Sequence, residues 1–278
     1  NSDKNSVGFG VNNRTVRQLG LSTADMMDST MYPTGFTFAT TAGASTGWVI
    51  VDLDGSLNNA SSSGGTTPML LSEYSQNIVT PHQLQLMELN LDSSADYSLE
   101  TSHLNMGATN GRDVWSPAGF IPIGGNNAGS GGTYFDGYFR GNGGTIANLF
   151  INDTTNSYVG LFGETDALIE NLNLTNFRVS ASVSSAEVGT LAGYADGWIT
   201  RVNADGVVTG STDPYAGGLV GYNDSLITNS SAAVTVNDPD AASGYAGGLT
   251  GYNDGIIRSS SASGIVRGQG DSEIGGLT

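Results

Sequence analysis

A glycine-rich phrase returns five times in the second half of the chain, and its spacing restricts the fold more than any other feature. It reads Gly160-Leu-Phe-Gly163, Gly189-Thr-Leu-Ala-Gly193, Gly217-Gly-Leu-Val-Gly221, Gly247-Gly-Leu-Thr-Gly251 and Gly275-Gly-Leu-Thr278. Its leucines, Leu161, Leu191, Leu219, Leu249 and Leu277, are separated by 30, 28, 30 and 28 residues. Self-similarity at a fixed period of this length is the mark of a solenoid, in which each repeat buries its apolar face only against its neighbours. The register also holds inside the units. Ile169, Ile199, Ile227 and Ile257 each follow their leucine by eight residues, and Leu174, Ala204, Ala232 and Ala262 follow five later. Val179, Val208, Val236 and Val266 come next, ten residues after the isoleucine in the first unit and nine in the others, so a bulge or loop is expected in the first.

Between these positions lie short β-branched runs bounded by Gly, Asn, Asp and Ser, such as Ile199-Thr-Arg-Val-Asn-Ala204 and Ala232-Ala-Val-Thr-Val236. Apolar and polar residues alternate there, as in half-buried strands. A unit holding about three such strands suits one coil of a parallel β-helix stacked ~4.8 Å on the next. A propeller blade needs roughly 40–50 residues and does not fit. The fold class expected is all-β, a right-handed parallel β-helix of 28–30-residue coils. Its leucine and isoleucine columns are core, and glycines are expected to make the tight corners. One or two short helices are expected in the N-terminal half. Ser22-Thr-Ala-Asp-Met-Met27 has a cap residue before an apolar pair, and Thr80-Pro-His-Gln-Leu-Gln-Leu-Met-Glu-Leu89 has Thr80 as N-cap, Pro81 at the first helical position and Leu84 and Met87 on one face. The expected division is a closing part of one module over 1–75, a module opening with the helix and first coils over 76–157, and the regular repeats over 158–278.

These phrases resemble the GLUG-motif proteins, large bacterial surface and secreted proteins in which Gly-Leu-X-Gly recurs. The likeness is strong over residues 78–278. Pro81 to Asp92 with Asp96-Tyr-Ser-Leu99 resembles the family's module opening. Trp115-Ser-Pro-Ala-Gly-Phe-Ile-Pro-Ile-Gly124 and Phe135-Asp-Gly-Tyr-Phe-Arg-Gly-Asn-Gly-Gly-Thr-Ile-Ala-Asn-Leu-Phe-Ile151 resemble its next two phrases, with Gly144 where a histidine is usual. Residues 7–72 resemble the end of a preceding module. The resemblance implies a right-handed parallel β-helix, export to the cell surface or beyond, and a place in an adhesin or filament. It implies no uniform catalytic activity.

Charge narrows the partners. The chain has 26 Asp and Glu against 9 Lys and Arg, a formal net charge of −17. Nucleic-acid binding needs clustered cations that displace counter-ions, and here the basic residues are few and dispersed, so neither nucleic acid nor an anionic membrane is expected as partner. No apolar run approaches the ~18 residues of a membrane span. Cysteine is absent, which excludes thiolate metal sites, redox pairs and cysteine nucleophiles.

Few residues carry a pattern that points to chemistry. Glu164, Asp166 and Glu170 cluster in one repeat and Asp136 lies close to Arg140 in sequence, the residue types a sugar-processing β-helix would use. They fall in Gly/Asn-rich turns, where acids ordinarily make local backbone bonds. His82 and His103 lack the spacing of a zinc motif, and no Gly-X-Ser-X-Gly elbow is present. Gly124-Gly-Asn-Asn-Ala-Gly-Ser-Gly-Gly132 lacks the Lys-Ser/Thr ending of a phosphate loop and reads as a turn. Asp196, Asp224 and Asp254 each follow a repeat leucine by five residues and should stack, as should Tyr194, Tyr222 and Tyr252. Stacked carboxylates repel unless solvated, protonated or bridged, so these three are the candidate Ca2+ ligands, although a Ca2+ site takes six or more oxygens. The favoured reading is a solvated turn with no bound cofactor, beside an amide ladder from Asn223 to Asn253. The tyrosines read as wall packing, with a platform for sugar rings as the other reading.

The function expected is a passive structural or adhesive stalk segment of a secreted surface protein, not an enzyme. Its partners are neighbouring copies of the module, tandem or end to end, and surface glycans or matrix. The alternative is a carbohydrate-binding or carbohydrate-active β-helix. A groove lined by non-repeating acids and aromatics would favour that alternative, and uniform solvated turns would favour the stalk. The opening Asn1-Ser-Asp-Lys-Asn-Ser-Val-Gly-Phe-Gly10 resembles the tail of such a repeat series, and the chain stops inside a coil, from which stacking of like modules is expected.

Overall fold

A computed structural model describes residues 20–59, 61, 64–125, 133–239 and 243–278. The expectations for Asn1 to Gly10 and for the turn from residue 126 to 132 lie outside the described residues.

The regular half is a parallel β-solenoid of three sheets. The first sheet stacks Tyr158–Val159, Glu187–Val188, Tyr215–Gly217, Tyr245–Gly247 and Glu273–Gly275. The second stacks Phe162–Thr165, Ala192–Ala195, Val220–Asn223 and Thr250–Asn253. The third is a broad sheet of 13 strands built around Leu168–Ala181 and Ile199–Thr209. It reaches back to Asn77–Ile78 and Asp96–Leu99, which approach it through Tyr138–Arg140. Among the named ladders, only that joining Trp48–Val49 to Met69–Leu70 is antiparallel.

The columns read from the repeat are the core. Ile169 pairs in register with Ile199, which pairs with Ile227, and Ile227 with Ile257. Leu174, Ala204, Ala232 and Ala262 follow, then Val179, Val208, Val236 and Val266. Leu161, Leu191, Leu219 and Leu249 are fully buried. The register shifts between Leu174 and Phe177, which is the bulge that the ten-residue interval requires. Asn176 carries it with φ 54°, and its amide donates to Asp205 Oδ1 at 2.6 Å.

The repeated phrase turns the corner between the first and second sheets as expected, and a Cβ at Gly217 or Gly247 would lie 1.8 Å from Val220 O or Thr250 O across it, but the means is not left-handed backbone. None of the glycines in the repeated phrase has a positive φ. In the third sheet the chain turns between inward Ile169 and inward Leu172 at Asn171, φ 56°, and the stacked equivalents Arg201, Asn229 and Ser259 have φ 53°, 50° and 48°. Asparagine tolerates this left-handed region better than most residues, and two of the four are Asn. The phrase glycines serve close approach instead. A Cβ at Gly193 would lie 2.4 Å from Val159 N, and one at Gly221 would lie 2.4 Å from Val188 N. They let the second sheet press against the backbone of the first.

In the N-terminal half both expected helices form. Thr23–Met26 is capped by Ser22, whose hydroxyl accepts from the Asp25 amide. Pro81–Gln85 starts at Pro81 with Thr80 as N-cap and runs into a 3-10 turn, Leu86–Leu89, with Leu84 and Met87 buried. His103 lies exposed on the strand His103–Asn105. One continuous apolar cluster joins Ala39 to Leu249. Among the described residues, no helix is long and apolar enough to cross a membrane.

Candidate functional site

The turn aspartates stack as expected. The amides of Asp196, Asp224 and Asp254 donate to Thr165 O, Ala195 O and Asn223 O of the preceding coils. Asp166 continues the same column downward, because Thr165 pairs with Ala195. All four side chains are exposed. The column supplies one carboxylate per coil, whereas Ca2+ takes six to eight oxygens. Among the described residues no group of three or more acidic or histidine side chains is placed to hold a metal ion. Beside it the amide ladder forms, with Asn223 Nδ2 donating to Asn253 Oδ1 at 2.7 Å. The ladder stops below Asn223 because Ala195 holds the next rung, and the buried Asn223 Oδ1 has no hydrogen-bond partner.

Of the acids grouped by sequence, Glu164 and Asp166 stay close enough to interact, and Glu170 is set apart from them. Glu170 lies on the third sheet and pairs with Arg201 at 2.7 Å. Arg140 pairs with Asp96 on the neighbouring strand and not with Asp136, because adjacent strands bring Asp96 and Arg140 side by side. Glu164 is on the second sheet, half-buried, and its pKa is raised by burial and by the charges of Asp196 and Asp166.

Glu164 belongs to a feature broader than the tyrosine column expected. On the second sheet the outward ladder is Glu164, Tyr194, Tyr222, Tyr252. On the first sheet it is Tyr158, Glu187, Tyr215, Tyr245, Glu273. The two ladders interlock. Tyr194 and Tyr222 stack at 5.2 Å, Tyr222 and Tyr252 at 5.0 Å, and Tyr215 and Tyr245 at 5.2 Å with rings 2° from parallel. Tyr215 meets Tyr222 and Tyr252 edge-on, and Tyr245 meets Tyr252 edge-on. Such offset and edge contacts suit the ring quadrupole. Stacking covers both faces of Tyr222 and one face each of Tyr194, Tyr252, Tyr215 and Tyr245. Tyr194 Oη donates to Asp224 Oδ2 at 3.0 Å.

Glu187 interrupts the first ladder between Tyr158 and Tyr215. Its Oε2 is buried without a hydrogen-bond partner. Burial, and then the charge of Glu164, push its pKa up to about 8. Sequence reasoning passed over this column, yet a signal was present. Tyr158, Glu187, Tyr215, Tyr245 and Glu273 all stand two residues before the first glycine of the phrase.

A second polar cluster surrounds the opening helix. Gln85, fully buried, accepts at Oε1 from Trp115 Nε1 at 2.9 Å and from the Ile121 amide at 3.1 Å, and its Nε2 donates to Ile121 O at 3.0 Å. Glu88 accepts from the Gly124 amide at 3.1 Å, and burial raises its pKa to about 8. His82 sits between Glu73 Oε2, 2.6 Å from Nδ1, and Asp113 Oδ2, 3.1 Å from Nε2, with its ring edge-on to Trp115. These bonds fasten the helix to the Trp115–Gly124 segment. At Gly144, where the resembling family usually has histidine, a Cβ would meet Thr101 O at 2.7 Å.

The comparisons with known proteins agree with the repeat. The sequence model of the family described as the GLUG motif matches residues 213–237. Halomucin of Haloquadratum walsbyi is 39% identical over 124 residues, 43% of this chain and 1% of that protein. A protein named as a Gly-rich membrane protein of Evansella cellulosilytica is 37% identical over 89 residues, 31% of this chain and 10% of that one. The matched region is thus a small part of either relative. A solved structure from Bacteroides ovatus, described as an immunoglobulin A1 protease, aligns with a TM-score of 0.49 and 20% identity over 71% of this chain and 66% of that one. The fold assignment rests on the parallel ladders.

Proposed function

Starting from a chain that carries the GLUG motif on a parallel β-solenoid, we propose that it is a structural and adhesive stalk segment of a large cell-surface protein, with no catalysis of its own. One observation carries this reading: the inward columns run in register from coil to coil while the turn carboxylates outside them are solvated. A stack of this kind lengthens by adding equivalent coils, and its stability is a sum of neighbour interfaces. The names of the relatives, a mucin-like name and a membrane protein, support a place at the cell surface. The partners proposed are like modules stacked in register.

A carbohydrate-binding role is the second reading, favoured by Glu164 and Glu187 because they are non-repeating acids within an aromatic strip. Against it, sugar rings stack on open aromatic faces, and five of the six tyrosines have at least one face against another tyrosine. Antibody labelling of intact cells tests the proposed placement. Label without permeabilisation is expected, and label that appears only after lysis contradicts it.

A further inference from the structure

At the corner between the second and third sheets the chain repeats an aspartate, a small residue and a large apolar residue. The five copies are Asp136-Gly-Tyr138, Asp166-Ala-Leu168, Asp196-Gly-Trp198, Asp224-Ser-Leu226 and Asp254-Gly-Ile256. The apolar residue of each stands one place before the inward column Phe139, Ile169, Ile199, Ile227 and Ile257, so it faces outward. Tyr138 pairs with Leu168 and Leu226 with Ile256, and Trp198 occupies the rung between them. Trp198 is 62% exposed, Ile256 50% and Tyr138 43%, with Leu168 and Leu226 half-buried among them. They form an apolar rail about 19 Å long, four intervals at ~4.8 Å per rung. The aspartates make a second rail two residues away, exposed in four coils and half-buried at Asp136. Burial, and then the charges of Asp196 and Asp136, raise the pKa of Asp166, so these carboxylates feel one another. Among the described residues the ion pairs engage other acids and leave this rail without a cation.

We propose that the two rails together dock an amphipathic α-helix of a partner protein, its apolar face on Tyr138, Leu168, Trp198, Leu226 and Ile256 and a flank of Lys and Arg over the aspartates. Contiguous exposed apolar side chains rimmed by polar ones mark interaction surfaces, and tryptophan is prominent among the residues that anchor them. The spacing selects a helix. Laid along the rail, a helix advances ~5.4 Å per turn, so one apolar residue per turn meets each rung with a drift of about 2 Å over the whole length. An extended strand repeats its face every ~6.8 Å and is out of register by the second rung. Strand addition is also closed to the partner, because the backbone of each rung is bonded to its neighbouring coils and only side chains face outward. Charge selects a basic helix. The row on the other side of the apolar rail already has Arg140 paired with Asp96 and Glu170 with Arg201, so the uncompensated carboxylates lie on the aspartate side alone. A second copy of this chain, at −17, would add to their repulsion. Three of the five apolar residues are aliphatic and offer no ring to a sugar. This inference goes beyond the stalk reading and holds or fails independently of cell-surface placement.

The test titrates the intact chain into a labelled synthetic peptide of about 13 residues, the length that spans the rail at ~1.5 Å per residue. It carries leucines on one helical face and lysines along one flank, and binding is read by label anisotropy and by the emission of Trp198. Saturable binding is expected, with a blue shift of the emission and weakening by added salt. Trp198→Thr, an exposed change that should leave Tm unaltered, weakens binding at least tenfold. Asp166→Asn combined with Asp196→Asn weakens it and flattens the salt dependence. Val207→Thr, on the same sheet but away from both rails, leaves affinity unchanged. A peptide of the same composition with leucines and lysines scrambled binds at least tenfold more weakly, and one with glutamate for lysine does not saturate. Equal affinity of the scrambled peptide, full affinity in Trp198→Thr, saturation by the glutamate peptide, or no saturation by the lysine peptide would each overturn the proposal. Self-association of the chain that Trp198→Thr abolishes would overturn it in favour of a second copy. Displacement of the peptide by a β-linked glucose oligosaccharide would overturn it in favour of a glycan.

Discussion

Leu249 and Thr228 show what a single position contributes in this architecture. Leu249 is fully buried in the leucine column, and its amide donates to Leu277 O of the next coil. Thr228 closes the strand Leu226–Thr228 on the outward side, paired with Thr200 and Arg258. Leu249→Asp removes apolar contact and buries a charge, which should cost several kcal/mol. Thr228→Asp should change stability by no more than about 0.5 kcal/mol. Urea unfolding of the two variants checks this, and equal midpoints would refute the register. These columns were legible in the sequence because an inward position recurs at every coil. The glycines were legible as a pattern but not in their role. A string of letters shows that a side chain is missing, and only the stacked backbone shows whether φ or the neighbouring strand excludes it. Asn171, Arg201, Asn229 and Ser259 escaped for the opposite reason, since three different residue types share one backbone conformation.

At the scale of elements, the opening helix was legible through its Thr80-Pro81 start, but its purpose was not. Gln85 and Glu88 look like solvent-facing residues of a short amphipathic helix. Their partners, Trp115, Ile121 and Gly124, lie about thirty residues away in sequence, and no local pattern announces the pairing. Gln85→Leu would leave the Trp115 indole N–H and the Ile121 amide buried without acceptors. A buried donor left unsatisfied costs about 1–3 kcal/mol, so this variant should lose at least that much. Thr80→Ala, which removes only the cap, should cost about 1 kcal/mol. Thermal unfolding of both variants checks the order, and a Gln85→Leu protein as stable as Thr80→Ala would contradict it. The tyrosine strip was half legible. The column on the second sheet was read, whereas its partner on the first sheet, with Glu187 in it, needed the fold to bring the two ladders together.

Across the whole molecule the buried carboxylates set the response to pH. Burial pushes Asp52, Glu88 and Glu187 up to about 8, and Asp153, Glu164 and Asp166 are also raised, each chiefly by burial. The folded chain therefore holds more protons than the unfolded chain between the ordinary carboxylate range and about pH 8. Stability is then greatest below that range and falls as pH rises toward 8, where these groups must ionise while buried. Neutralising part of the −17 charge at low pH acts in the same direction. Tm should be higher at pH 5 than at pH 8.5, and the reverse order would contradict the burial of these acids. The central claim, that this solenoid supports and displays without performing chemistry, is tested most directly by following reducing ends while the intact chain is incubated with neutral and acidic polysaccharides. The account predicts no release above the buffer control. Release that disappears in Glu164→Gln, Asp166→Asn or Asp136→Asn, with folding intact, would contradict it.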